Sequence, residues 1–299
     1  MTLTILDGGM GRELERIGAP FRQPEWSALA LMEAPEMVRQ VHDGYIRAGA
    51  QVITTNSYAL VPFHIGEDRF RAEGEQLAAL AGRLAREAAD AATGVTVAGS
   101  LPPVFGSYRP DLFRDDIAQD YLSVLVRGLA PHVDVWLAET QSSLAEARAA
   151  AAAVSGTGKP LWLSFTLRDE DLPTEGTVPQ LRSGEPVAEA ARLAQSLGAE
   201  AMLFNCAMPE VMAPALAAAR VAVPGLRLGV YANAFGDSQD EDGAANEVVS
   251  TIRDDLDPHS YCLWADRWTA QGATIIGGCC GIGTDHIHHL ADHLPKAHA

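Results

Sequence analysis

The feature that most constrains this chain is an alternation of eight short apolar runs with eight longer stretches of helical periodicity. The apolar runs are Thr4–Leu6, Gln51–Thr55, Val95–Ser100, Asp134–Ala138, Leu161–Phe165, Ala201–Asn205, Arg227–Ala232 and Thr274–Gly277. The helical stretches are Pro35–Ala48, Asp68–Ala92, Asp115–Ala130, Ser142–Val154, Pro186–Leu197, Glu210–Val221, Pro258–Ala270 and Thr284–Leu294. A strand, a helix and another strand in succession make a parallel crossover, and eight such units in 299 residues predict a (β/α)8 TIM barrel, one domain over residues 1–299. Local punctuation agrees with this. Gly49, Gly94 and Gly198 follow helical runs, and Pro35 and Pro186 stand where a first turn begins.

In such a barrel the C-terminal ends of the strands share one mouth. Asp7, Asn56, Glu139, Cys206, Asn233 and Cys279 each follow a predicted strand, so the fold aims them at one place. The most unusual of these ends reads Gly277-Gly278-Cys279-Cys280-Gly281. Adjacent cysteines rarely bridge each other, because a trans peptide holds their Cα atoms at about 3.8 Å and a disulfide wants about 4.4–6.8 Å. Both thiols are therefore expected to stay available, and Cys206 offers a third. Three thiolates with an open fourth position describe a catalytic zinc site, so Cys206, Cys279 and Cys280 are the expected Zn2+ ligands. Four cysteines in a chain this long make no disulfide scaffold. Cys262, inside a helical run, reads as core. Of the four C-terminal histidines only His289 and His293 are spaced as a helical ligand pair, without an accompanying carboxylate motif, and they read as a solvated last helix.

Taken together, Asp7-Gly8-Gly9-Met10-Gly11, Thr55-Asn56-Ser57-Tyr58, Glu139-Thr140, Asn205-Cys206 and Gly277–Gly281 resemble the homocysteine S-methyltransferase family, in order from residue 5 to about residue 287. The resemblance implies a zinc-dependent enzyme in which the substrate thiol, bound as fourth ligand, is deprotonated and accepts a methyl group from an onium donor. It supports Asp7 and Glu139 as partners of the homocysteine ammonium, for which two carboxylates are the natural ligands. It also implies that backbone near Gly8, Gly9 and Met10 holds the amino acid. Asn56 and Asn233 either orient the substrate or satisfy buried backbone.

The donor is less sharply indicated. Three long segments, Leu101–Arg114, Leu167–Glu185 and Ala234–Asp257, are placed to roof the mouth. They carry Phe105, Tyr108 and Phe113 and the acidic residues Asp237, Asp240, Glu241 and Asp242, groups that an onium cation favours and that also suit rim plugs and solvated loops. Trp26 and Tyr58 are further candidates by position. The chain stops soon after its last helical stretch, without the extension of betaine-dependent relatives, which favours S-methylmethionine or S-adenosylmethionine. The turn Leu101-Pro102-Pro103 is closer to betaine-type members, so both donor classes stay open. The same mouth would also serve a non-catalytic zinc or thiol sensor, or a lyase or hydrolase with another metal.

Charge narrows the partners. A net charge of −17 argues against nucleic acid and anionic membrane, which call for basic patches. No apolar run approaches a membrane span and the N-terminus lacks a basic leader, so a cytoplasmic protein is expected. Oligomeric state is not readable from the sequence.

Overall fold

The computed structural model describes residues 3–170, 172–174, 176–235 and 253–294. Its strands are β1 (Thr4–Ile5), β2 (Val52–Thr54), β3 (Thr96–Leu101), β4 (Val135–Gln141), β5 (Leu161–Phe165), β6 (Ala201–Asn205), β7 (Arg227–Tyr231) and β8 (Ala273–Ile276). All pair in parallel, in the order β1-β8-β7-β6-β5-β4-β3-β2. A parallel bridge between Leu6 and Val52 brings β1 against β2 and completes the circle. This is the (β/α)8 barrel.

The helices are α1 (Met10–Arg16), α2 (Ser27–Glu33), α3 (Pro35–Ala48), α4 (Pro62–Ile65), α5 (Glu67–Asp90), α6 (Asp115–Leu129), α7 (Leu144–Val154), α8 (Val187–Ser196), α9 (Pro209–Ala222), α10 (Pro258–Ala270) and α11 (Thr284–His293). None of the described helices is long and apolar enough to cross a membrane. Three short helices, α1, α2 and α4, lie outside the eight helical stretches read from the sequence. α2 is buried at five consecutive positions, Ser27 to Leu31, so it has no polar face to announce it.

Successive strand residues point to opposite faces, which sorts the apolar side chains into two zones. Ile53, Val97, Trp136, Leu163, Phe204, Val230 and Ile276 face outward under the helices. Leu6, Ala98, Leu137, Trp162, Leu203 and Ile275 face inward and fill the lumen. At the N-terminal end of the lumen the Trp162 ring lies under the Arg227 guanidinium, 5.4 Å from ring centre to Cζ. Arg227 is itself held by the Thr4 hydroxyl at 2.8 Å and by Glu200.

Toward the C-terminal end the same inward positions turn polar: Thr54, Ser100, Glu139, Ser164, Asn205 and Tyr231. Buried polar groups need partners, and these largely bond one another. β4 runs further than the sequence suggested, so Glu139 and Thr140 lie inside it and not after it. The β4–β5 register shifts between Ala138 and Gln141, a bulge at that pair.

Candidate active site

The three expected thiols converge. Cys206 leaves the end of β6 with φ 48°, in the left-handed region, and its carbonyl accepts a hydrogen bond from the Thr166 hydroxyl at 3.1 Å. Cys279 and Cys280 follow β8. The sulfurs of Cys206, Cys279 and Cys280 all lie within 4.8 Å of one another.

One expectation is corrected. Cys279 does not stay available, because it is joined to Cys206 as a disulfide across 5.8 Å between Cα atoms, while Cys280 is free. The reason is geometric. Sulfurs placed to share one tetrahedral zinc at about 2.3 Å each lie about 3.8 Å apart, close enough to bond when oxidised with no ion between them. Once reduced, the set fits a soft, thiolate-binding metal: three sulfurs, without an imidazole or carboxylate among the donors.

The backbone around the cysteines is fixed by its neighbours. Cys279 donates its N–H to Ala232 at 2.9 Å, and Cys280 accepts from Ala234 at 2.8 Å. The β1 end is pressed against the same segment: Gly278 donates to Asp7 at 3.0 Å and Gly9 to Ile282 at 2.9 Å, while the Tyr45 hydroxyl donates to Gly9 at 3.2 Å. A Cβ on Gly9 would lie 2.7 Å from the Cys279 carbonyl oxygen and 3.1 Å from the Cys280 Cα, and one on Gly8 would collide with Ile282 and Tyr45. Glycine at both positions therefore answers a close approach of backbone to backbone. Because the Gly9 amide is engaged by Ile282, the amides of the expected trio left to offer a substrate are those of Gly8 and of Met10, which opens α1.

The two expected carboxyls are buried at the same end of the barrel. Asp7 accepts from the Thr54 N–H at 2.7 Å and from the Thr54 hydroxyl at 3.0 Å, and makes no cap on α1. Burial pushes its carboxyl up to about 8 against those bonds, with Glu139 adding to the rise. Glu139 accepts from the hydroxyls of Ser100 and Tyr231, and burial pushes it up to about 7. Two buried carboxyls in electrostatic contact resist ionising together; an incoming ammonium would supply the missing countercharge.

The other expected residues have structural engagements. Asn56, buried, donates through Nδ2 to the Ser27 carbonyl at 3.0 Å and ties the β2 end to α2. Asn233 donates its backbone N–H to Ala207 at 3.2 Å and accepts from the Phe235 N–H at 3.4 Å, linking the β7 end to the turn after Cys206. Asn233 thus braces the turn beside Cys206, and Asn56 the end of β2. Sequence reasoning missed Thr54, Ser100, Ser164, Asn205 and Tyr231 as site residues. The usable signal was period-two alternation, since each is the last inward-facing residue of its strand.

Above the sulfurs the roofing segments differ in character. Phe105 packs on Phe113 and Tyr121, with ring centres 5.9 and 5.8 Å away, and so belongs to the packing over α6. Tyr58 and Tyr108, like Tyr45 behind the β1 end, are in electrostatic contact with Cys280. Tyr58 shares a 2.7 Å hydrogen bond with Ser107. Tyr108 lies 4.8 Å under the Arg182 guanidinium, which pairs with Asp169 at 2.6 Å. Trp26, at the start of α2, stacks edge-on with Phe21. Asp237, Asp240, Glu241 and Asp242 lie outside the described residues. Cys262 is buried in α10, and His293 pairs with Asp266, so the tail presents no further metal cluster among the described residues.

A family model described as homocysteine S-methyltransferase matches residues 4–294. A homocysteine S-methyltransferase of Escherichia coli (strain K12) is 31% identical over 304 residues, covering 93% of this chain and 91% of that protein. A selenocysteine methyltransferase of Astragalus bisulcatus is 26% identical, over 96% of this chain and 90% of that protein. The crystal structure of the homocysteine methyltransferase MmuM from Escherichia coli in its metallated form superposes with a TM-score of 0.79 at 28% identity, over 98% of this chain and 97% of that one. Its oxidised form superposes at 0.77, also at 28% identity.

Proposed function

Because the chain belongs to the homocysteine S-methyltransferase family, we propose that it moves a methyl group from a sulfonium donor, S-methylmethionine or S-adenosylmethionine, to the thiol of homocysteine, giving methionine, with Zn2+ held by Cys206, Cys279 and Cys280. The observation that carries this reading is the convergence of three sulfurs at the end of the barrel that also holds two buried carboxyls, with Glu139 in electrostatic contact with Cys280. A bound zinc ion would lower the pKa of a coordinated thiol, so that the acceptor sulfur is present as thiolate at neutral pH.

The chain's own residues do the rest by placement. Asp7 and Glu139 take the homocysteine ammonium from β1 and β4, and the glycine-lined β1 end lets the amino acid approach the backbone. Burial of that pair keeps water from competing for the ammonium. The acceptor S–C bond forms as the donor S–C bond breaks, the donor leaves as a neutral thioether, and the thiol proton passes to solvent. No side chain has to move a proton in the transfer step. Tyr58 and Tyr108 offer aromatic surface on the donor side, where a methyl-bearing cation gains from a ring face.

The deciding experiment is methionine formation from homocysteine with S-methylmethionine, S-adenosylmethionine and betaine in turn, using reduced protein of measured metal content. Turnover with a sulfonium donor and one equivalent of zinc is expected. Turnover with betaine alone would replace the donor assignment. Stoichiometric zinc with no methionine from any donor would favour a thiol sensor.

A further inference from the structure

Among the described residues four non-glycine positions have positive φ, and two of them flank the site: Thr140 at 58° and Cys206 at 48°. A β-branched residue in the left-handed region is held there only by its surroundings. Thr140 sits beside Glu139 at the bulge where β4 loses register with β5. Its N–H bonds the side chain of Asn205, with a 3.0 Å contact to Oδ1. The same oxygen accepts from the Ser164 hydroxyl at 2.7 Å, and Asn205 Nδ2 donates to the Thr140 hydroxyl oxygen at 2.8 Å. One fully buried carboxamide thus holds both the N–H and the hydroxyl of Thr140, and the next residue along its own chain is Cys206.

We propose that Asn205 is a positioning residue that sets the Cys206 sulfur and the Glu139 carboxyl in one frame, so that metal ligation and recognition of the substrate ammonium are coupled. Its planar amide spans from β6 to β4 and stabilises the bulge beside Glu139, whose carboxyl faces inward to Ser100 and Tyr231. Without it, Thr140 relaxes toward ordinary backbone geometry. The shift then moves Glu139 on one strand and frees the turn at Cys206 on the other. Outer partners of metal ligands commonly matter about 10- to 100-fold in affinity.

The inference rests on the proposed function, and the test separates the two. Reduced wild type, Asn205→Ala, Thr140→Gly and the double variant are loaded with Co2+. The thiolate-to-cobalt absorption band and competition with a chelator report sulfur ligation, and homocysteine KM and kcat are measured on the zinc forms. Asn205→Ala is expected to weaken Co2+ binding by about 10- to 100-fold and to raise KM more than it lowers kcat. Thr140→Gly in that background should recover most of both losses, because glycine adopts the left-handed conformation without a clamp. A purely structural asparagine would lower the melting temperature without that paired recovery.

Wild-type affinity and KM in Asn205→Ala, or losses untouched by Thr140→Gly, would overturn the positioning role alone. Absence of the thiolate band in wild type would instead refute the function from which it starts. Should Asn205→Ala not fold, Ser164→Ala removes one donor to the same oxygen. A smaller shift of affinity and KM together supports the role, and lower stability with neither shifted refutes it.

Discussion

Replacing Gly9 by alanine tests how tightly the first strand end is fitted to the cysteine pair. Gly9 has φ −69° and ψ 103°, a conformation open to alanine, so the backbone itself raises no objection. By loss of unfolded-chain freedom alone the change would stabilise by about 0.4–1 kcal/mol. Against this stands a methyl carbon 2.7 Å from the Cys279 carbonyl oxygen and 3.1 Å from the Cys280 Cα. Both are backbone atoms of a segment held by hydrogen bonds to Ala232, Ala234 and Ile282, and cannot swing aside as a side-chain tip would. Overpacking of this kind costs about 1–3 kcal/mol, so the clash wins by up to about 2.5 kcal/mol. Part of that difference unfolds the protein and part moves the two cysteines, and every 1.4 kcal/mol in the second share is about tenfold in metal affinity. Urea unfolding of the metal-free reduced protein gives the first share, and chelator competition gives the second. Gly225→Ala, which meets nothing within 4 Å, is the control and should be neutral or slightly stabilising. Wild-type stability together with wild-type metal affinity in Gly9→Ala would refute the close-fit account.

Glu139→Gln removes a buried anion from the ammonium site; a hydrogen bond to a charged group contributes about 1.5–3 kcal/mol, so homocysteine KM should rise at least tenfold with metal content unchanged, and an unaltered KM would count against the assignment. His42, fully buried in α3 with neither ring nitrogen hydrogen-bonded, has its pKa pushed down to about 4 by burial. The unfolded chain, titrating near 6.5, then takes up the proton first, so this contribution to stability is complete above about pH 6.5 and is lost toward pH 4, about 3 kcal/mol in all. His42→Leu should therefore flatten the pH dependence of urea unfolding across that window, and parallel wild-type and variant curves would exclude the effect. Cys206→Ala should abolish both the disulfide and stoichiometric zinc, whereas wild type should take up zinc only after reduction; uptake by the oxidised protein, read by metal analysis of desalted samples, would remove these sulfurs from the site.

Much of the barrel was legible because its signals are local. The sequence places α3 at Pro35–Ala48 and α10 at Pro258–Ala270, as the structure does, since proline opens each helix and a glycine follows each end within two residues. β5 and β6 are likewise found at the expected residues, being dense apolar runs. α1 was invisible for the opposite reason: seven residues, four of them charged, carry too little apolar periodicity. Within the site, cysteines at strand ends stand out by type. Ser100, Ser164 and Asn205 do not, because such residues read equally well as turn formers, and only the register that turns them inward gives them a role. The meeting of Cys206 and Cys279 across 73 residues follows from their strand ends, but their bonding to each other does not, because residue type and position say nothing of oxidation state.

Trp162 and the arginine stacked on it have a kinetic consequence. With the other inward-facing side chains they fill the barrel from its foot, so the polar mouth above them is a blind well entered from the C-terminal end. On the proposed function homocysteine lies at the bottom of that well and the donor above it, so the acceptor must enter first and methionine must leave last. Binding and release should accordingly be ordered, with the spent donor competing against fresh donor, and not against homocysteine, for the open lip.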